Sequence, residues 1–183
     1  MTRREFLASL AALAALPVVL RPTRAAAAEE KSMNIVGSDP KGPIERIDAP
    51  KEAWRKQVSP EAFEVLFEEG TERPRSSPLD HEKRAGTFVC AACHLPLFGS
   101  ETKFDSGTGW PSFFDAIPGH VETRRDFKLL LPRTEYHCVR CGGHQGHVFK
   151  DGPRPTGLRY CNNGVALRFV PEDEPLPALR GVS

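Results

Sequence analysis

The chain has 183 residues, 39% of them hydrophobic and 27% charged, which excludes a disordered or a multi-span membrane protein and suits one compact domain plus a targeting segment. The formal net charge is +1, so bulk electrostatics suggests neither nucleic acid nor an anionic surface as a partner.

Thr2-Arg3-Arg4-Glu5-Phe6-Leu7 resembles a twin-arginine export signal. An apolar stretch over residues 6–20, broken by Pro17, and alanines at 25–28 that offer A-x-A cleavage sites complete the pattern. The stretch is shorter than the roughly 20 apolar residues of a membrane span, so a cleaved signal over 1–28 outweighs an uncleaved anchor. This segment carries four arginines and one glutamate, a net of +3, which leaves −2 for the rest and weakens a nucleic-acid reading further. The expected location is periplasmic, with membrane contact only during export.

Residues 29–48 are polar, rich in glycine and proline, and read as a flexible leader. Two short helices are expected next. Asp48 is a candidate cap for residues 50–57. Ser59 with Pro60 opens a second helix, whose Phe63, Leu66 and Phe67 share one face and which Gly70 closes. From residue 86 to 170, short apolar runs alternate with Gly, Pro and Asp: Thr87-Phe88-Val89, 128–131, His147-Val148-Phe149 and 166–170. The fold class expected is mainly β (α+β), a compact antiparallel β-sheet domain over 49–170 with the short N-terminal helices packed outside. The proline- and acid-rich residues 171–183 read as a loose tail.

The five cysteines divide by spacing. Cys90-x-x-Cys93 and Cys138-x-x-Cys141 each follow a strand-like run and together supply the four thiolates of a tetrahedral zinc site. Cys93 and Cys138 are 45 positions apart, so one structural Zn2+ per chain would clamp distant parts of the domain. The competing reading is two disulfide or redox-active pairs, which an oxidising compartment permits. Folding before export would let zinc load among reduced thiols.

Cys161 stands alone in a polar, glycine-bounded segment, which suits a nucleophile better than a core cysteine. Arg159 or a histidine could lower its pKa. The loop Phe104-Asp105-Ser106-Gly107-Thr108-Gly109-Trp110-Pro111-Ser112-Phe113-Phe114 presents an aromatic ring between glycine hinges. Gly143-His144-Gln145-Gly146-His147 carries two histidines that a strand would face apart and that a turn at Gly146 could unite. Taken singly, a core tryptophan and surface histidines, or a further metal ligand set, account for these residues as well.

From about residue 53 to 170 the chain resembles the B-type methionine sulfoxide reductases, which act on the R epimer at sulfur. The resemblance lies in Gly70-Thr71-Glu72-Arg73-Pro74, both CxxC pairs, the 106–113 loop, Gly146-His147-Val148-Phe149 with Asp151-Gly152-Pro153, and Arg159-Tyr160-Cys161. It implies an oxidoreductase that repairs oxidised methionine in proteins, a class that undoes methionine oxidation one epimer at a time. Whether free methionine sulfoxide is also a substrate is left open. Cys161 is then the nucleophile and ends as a sulfenic acid. His147 is the acid for the sulfoxide oxygen, His144, Asp151 and Arg159 tune charge and hold the acid, and Asn163 bonds within the pocket. Trp110, aided by Phe149, is the wall for the substrate methyl group. Many relatives carry a resolving cysteine where this chain has Thr108, so an external thiol, thioredoxin-like or other, is expected to reduce the sulfenic acid. Asn162, usually apolar, and Gly164, usually serine, also depart from the pattern. A monomer is expected. The competing functions are a zinc-knuckle binding module and a CxxC dithiol oxidoreductase.

Overall fold

The computed structural model describes residues 43–127 and 132–182. The expected signal peptide, most of the expected leader and the apolar run at 128–131 lie outside these residues. Among the described residues no helix is long and apolar enough to cross a membrane.

Among the described residues, nine short strands form two antiparallel sheets. β1 (Gly86–Cys90) lies between β2 (Pro96–Gly99) and β9 (Leu167–Pro171). The larger sheet runs in the order β3 (Lys103–Phe104), β4 (Ser112–Phe113), β8 (Arg159–Asn162), β7 (His144–Phe149), β6 (Arg133–Cys138), β5 (Val121–Asp126). The protein is thus mainly β, as its alternating apolar runs foretell. Aromatic rings from both sheets make the core: Phe98 stacks on Phe113 with centroids 4.2 Å apart, and Phe88 meets Phe113 edge-on at 4.9 Å. All three are fully buried, and each such ring stabilises the fold by about 2–3 kcal/mol.

The main helix, α1 (Pro60–Glu68), starts as its sequence dictates. The Ser59 hydroxyl accepts from the Ala62 N–H at 3.1 Å, and Pro60 needs no partner in the first turn. Phe63 and Leu66 face the core while Phe67, half-buried, packs beside them. The left-handed residue that ends the helix is Glu69 (φ 55°), one position before the expected Gly70. An ion pair between Glu69 and Arg124 of β5 holds that less favoured backbone in place.

Three further expectations change. The helix expected over 50–57 is a single 3-10 turn, Lys51–Trp54, whose cap position is Pro50 and which has no side-chain cap, so Asp48 plays no such part. The leader is fastened before residue 48: the Ile47 N–H donates to the Arg140 carbonyl at 2.7 Å, and Ile44 and Ile47 pack on the core. The tail is not loose either. Arg180 donates through its guanidinium to the carbonyls of Ala91 (2.5 Å) and Ala92 (2.7 Å), and through its backbone N–H to that of Cys93. A proline-rich composition opposes helix and strand, but it does not stop one arginine from binding the open carbonyls of a tight turn.

Candidate active site and metal centre

The register of the larger sheet decides the site. Arg124, Glu135, His147, Cys161 and Ser112 are successive cross-strand partners from β5 through β6, β7 and β8 to β4. Directly opposed residues project to the same face, so this row sets Cys161 beside His147 and His147 beside Glu135. Two positions along, Asp126 opposes Arg133 and Phe149 opposes Arg159 on that face. Cys161, His147, Phe149, Arg133, Trp110 and Asn163 line a cleft of about 140 Å³.

The paired histidines reach one face through a β-bulge. The β6–β7 register shifts between Tyr136 and His137, so Gln145 is an extra residue on β7 and the alternation flips there. The rings of His144 and His147 come to 5.4 Å, edge to face. A bulge thus replaces the turn expected at Gly146. That glycine is still required, because a Cβ there would stand 2.0 Å from the Cys161 carbonyl oxygen.

Each histidine has its own carboxylate. His144 Nδ1 bonds Glu135 Oε1 at 2.7 Å, and His147 Nε2 bonds Asp126 Oδ2 at 2.9 Å. A carboxylate only accepts, so these nitrogens carry the protons. Burial pushes the His144 pKa down, against the pull of Glu135, which keeps this imidazole neutral. Glu135 also pairs with Arg124, and Asp126 with Arg133 at 2.6 Å. Glu135, Asp126 and Arg133 carry no motif that marks them in the sequence. Only the register brings them to the site.

Cys161 is half-buried, and that burial raises its pKa above the ordinary 9.0. The Arg159 charge and the Thr108 hydroxyl oppose the rise. The expected cation is therefore present, yet it offsets burial only in part. Asp151 grips Arg159 with both oxygens, at 2.9 and 2.8 Å, and Arg159 lies 4.3 Å over the Phe149 ring. Asp151 thus serves the thiol side of the site, and the acid that bonds His147 is Asp126.

The two departures beside Cys161 are accommodated. Asn162 alternates to the opposite face, where its Oδ1 accepts from the buried Tyr136 hydroxyl at 2.6 Å. Its NH2 group donates to the Asn163 carbonyl at 2.7 Å, so the amide is bonded at both ends. Gly164 has no room for a side chain, because the Ser77 hydroxyl fills that space 2.0 Å from where a Cβ would be. Asn163 donates to the Gln145 carbonyl at 3.0 Å and accepts from the Glu72 N–H at 3.0 Å, bonding the cleft's rim together.

The four remaining cysteines meet elsewhere. Their sulfurs all lie within 4.8 Å of one another, with Cys90–Cys141 at 3.6 Å and Cys93–Cys138 at 3.5 Å. A tetrahedron of metal–sulfur bonds near 2.3 Å has sulfur–sulfur edges of roughly 3.8 Å, so the set fits a tetrahedral dication. The two turns match: the His94 N–H returns to the Cys90 carbonyl and the Gly142 N–H to the Cys138 carbonyl, both at 2.9 Å. Hydrogen bonding with Cys138, before all else, pushes the Cys90 and Cys141 thiols well up, so these sulfurs do not ionise together without a cation. Among the described residues no such ligand group includes His144 or His147.

Comparison with known proteins agrees with this geometry. The SelR domain matches residues 58–171. The peptide methionine sulfoxide reductase MsrB of Methanosarcina barkeri (strain Fusaro / DSM 804) is 50% identical over 129 residues, 70% of this chain and 91% of that protein. That of Pseudomonas putida (strain W619) is 52% identical over 132 residues, 71% of this chain and 98% of that protein. That of Agrobacterium fabrum (strain C58 / ATCC 33970) is 53% identical over 119 residues, 64% of this chain and 88% of that protein. The match spans both CxxC pairs, the tryptophan loop and the strand that carries Cys161, and the chain belongs to the SelR-domain family.

Proposed function

We propose that this chain reduces methionine-R-sulfoxide to methionine with Cys161 as nucleophile and is regenerated by an external thiol. The observation that carries the reading is the cross-strand pairing of Cys161 with His147 at a cleft walled by Trp110. The substrate's methyl group lies against Trp110 and Phe149, with its sulfur toward Cys161. The sulfoxide oxygen needs a proton as its bond to sulfur breaks, and the Cys161 thiol must lose one to attack. His147, held by Asp126, carries that proton from the thiol to the oxygen. The oxygen passes to Cys161, which is oxidised to a sulfenic acid while the substrate sulfur is reduced to the thioether.

With Thr108 at the position of the resolving cysteine and the other four thiols gathered at the metal centre, the sulfenic acid meets a thiol from outside. One external thiol displaces water and a second frees Cys161, leaving the reductant as a disulfide. Thioredoxin-like proteins supply that chemistry. Zinc is the ion we assign to the four cysteines, where a closed thiolate set confers stability rather than reactivity. The twin-arginine pattern and the alanine sites support export to the periplasm after removal of residues 1–28.

Turnover of both sulfoxide epimers by the wild type and by Cys161→Ser, with zinc content and the mass of the substrate-treated protein, tests the reading. The expected result is loss of R-epimer turnover with zinc retained, and one added oxygen on Cys161 when reductant is withheld. A Cys161–Cys93 disulfide instead would overturn the external-thiol route.

A further inference from the structure

Glu72 takes no part in the chemistry above, yet all its polar groups bond to the rim of the cleft. Its N–H donates to Asn163 Oδ1 at 3.0 Å, and its carbonyl accepts from the Trp110 indole N–H at 3.2 Å. Its carboxylate accepts from the Gly164 N–H at 2.7 Å and the Val165 N–H at 2.9 Å. Those two donors open the 3-10 turn Gly164–Ala166, which follows the nucleophile strand, and they have no partner within that turn. One half-buried residue therefore joins the Trp110 indole to the chain just beyond Cys161.

The loop that carries Trp110 is braced at its base, where the Ser106 hydroxyl bonds those of Thr108 and Ser112 at 2.8 and 2.7 Å, while the indole N–H bonds outside the loop, to Glu72. Gly107 (φ 70°) and Gly109 (φ 86°) precede the tryptophan in left-handed conformations. Two bonds tie the loop to the Glu72 segment: the indole N–H to the Glu72 carbonyl, and the Arg75 N–H to the Gly109 carbonyl at 2.6 Å. The segment in turn is anchored by the carboxylate's two charge-assisted bonds. A glutamine at 72 would offer one acceptor oxygen and turn an NH2 group toward the second N–H.

We propose that Glu72 is a positioning residue that fixes the Trp110 indole relative to the Cys161 sulfur and so sets the affinity for the substrate's methyl end. This rests on Trp110 being the substrate wall. A residue that merely capped the 3-10 turn would affect stability alone.

The test uses the full-length, metal-replete protein as Glu72→Gln and Trp110→Ala, with KM, kcat and acrylamide quenching of tryptophan fluorescence. Trp54, the other of the two tryptophans, is 1% exposed, so quenching reports Trp110. The expected result for Glu72→Gln is a KM raised roughly tenfold with kcat changed about twofold at most, and a steeper quenching slope. A fall in melting temperature with KM and quenching unchanged would overturn the proposal. A raised KM in Trp110→Ala beside an unchanged KM in Glu72→Gln overturns the positioning role alone, whereas an unchanged KM in Trp110→Ala overturns the wall itself and the proposal with it. Should Glu72→Gln not fold, Trp110→Phe removes the indole donor and keeps the carboxylate anchor. Its KM is expected to rise several-fold, and a wild-type KM there also overturns the proposal.

Discussion

Cys161 lies under two opposed influences, and their balance is open to measurement. Burial disfavours the thiolate, and Arg159, held by both oxygens of Asp151, favours it. Removing the guanidinium leaves burial less opposed, so the thiol's pKa rises further and less thiolate exists at neutral pH. Arg159→Met is therefore expected to shift the pH profile of Cys161 alkylation to higher pH and to slow alkylation at pH 7 by roughly several-fold. An unmoved profile would reduce Arg159 to a packing partner of Phe149. At this scale Cys161, both histidines, Trp110, Asp151 and Arg159 are legible in the sequence as candidates, because each sits in a short recognisable motif, whereas the pairing of Arg159 with Asp151 is not. Glu135, Asp126 and Glu72 are not. An acid in or beside a polar strand is ordinarily a solvated one, and burial of Glu135 follows from its pairing with His147 and Arg124 across two strands.

The element that matters most is β7. Its bulge at Gln145 turns two histidines three residues apart onto one face, and Gly146 lets β8 approach closely enough to present Cys161. Gly146→Ala forces its Cβ against the Cys161 carbonyl, a backbone atom that cannot rotate aside. The expected outcome is a loss of about 1–3 kcal/mol in denaturant-unfolding stability together with a loss of turnover far larger than that destabilisation explains. An alanine variant with wild-type activity would show that the β7–β8 approach is not needed. Strands β1, β7 and β9 and helix α1 are readable from alternation and capping. The bulge is not, since it depends on how β7 meets β6, and neither strand alone carries that register. The tail shows the same limit: composition marks it as irregular, whereas its bonds to the Cys90–Cys93 turn depend on where the chain returns.

For the whole molecule, the four-cysteine cluster brings the two sheets together at one point. It joins the turn after β1 in the smaller sheet to the turn between β6 and β7 in the larger, and the second of these turns leads directly into His144. Treatment with a chelator under reducing conditions is expected to lower the melting temperature by about 10 °C or more. Turnover should fall with it, because Gly143, the residue just before β7, lies against the Cys141 sulfur and Leu66 of α1. A melting temperature insensitive to chelation would mean that the aromatic core alone unites the two sheets.

By itself the sequence determined the chemistry available: one solitary thiol, two matched thiol pairs, two histidines, a glycine-hinged tryptophan and a mainly β frame. Those are local properties, carried by spacing, capping and alternation within a few residues. The tertiary structure decided which charges are buried with which partners, that a bulge unites the histidines, and that Glu72 and Arg180 bond to segments about 90 residues away. Such pairings follow from sheet register and chain return, and no local stretch of residues encodes them.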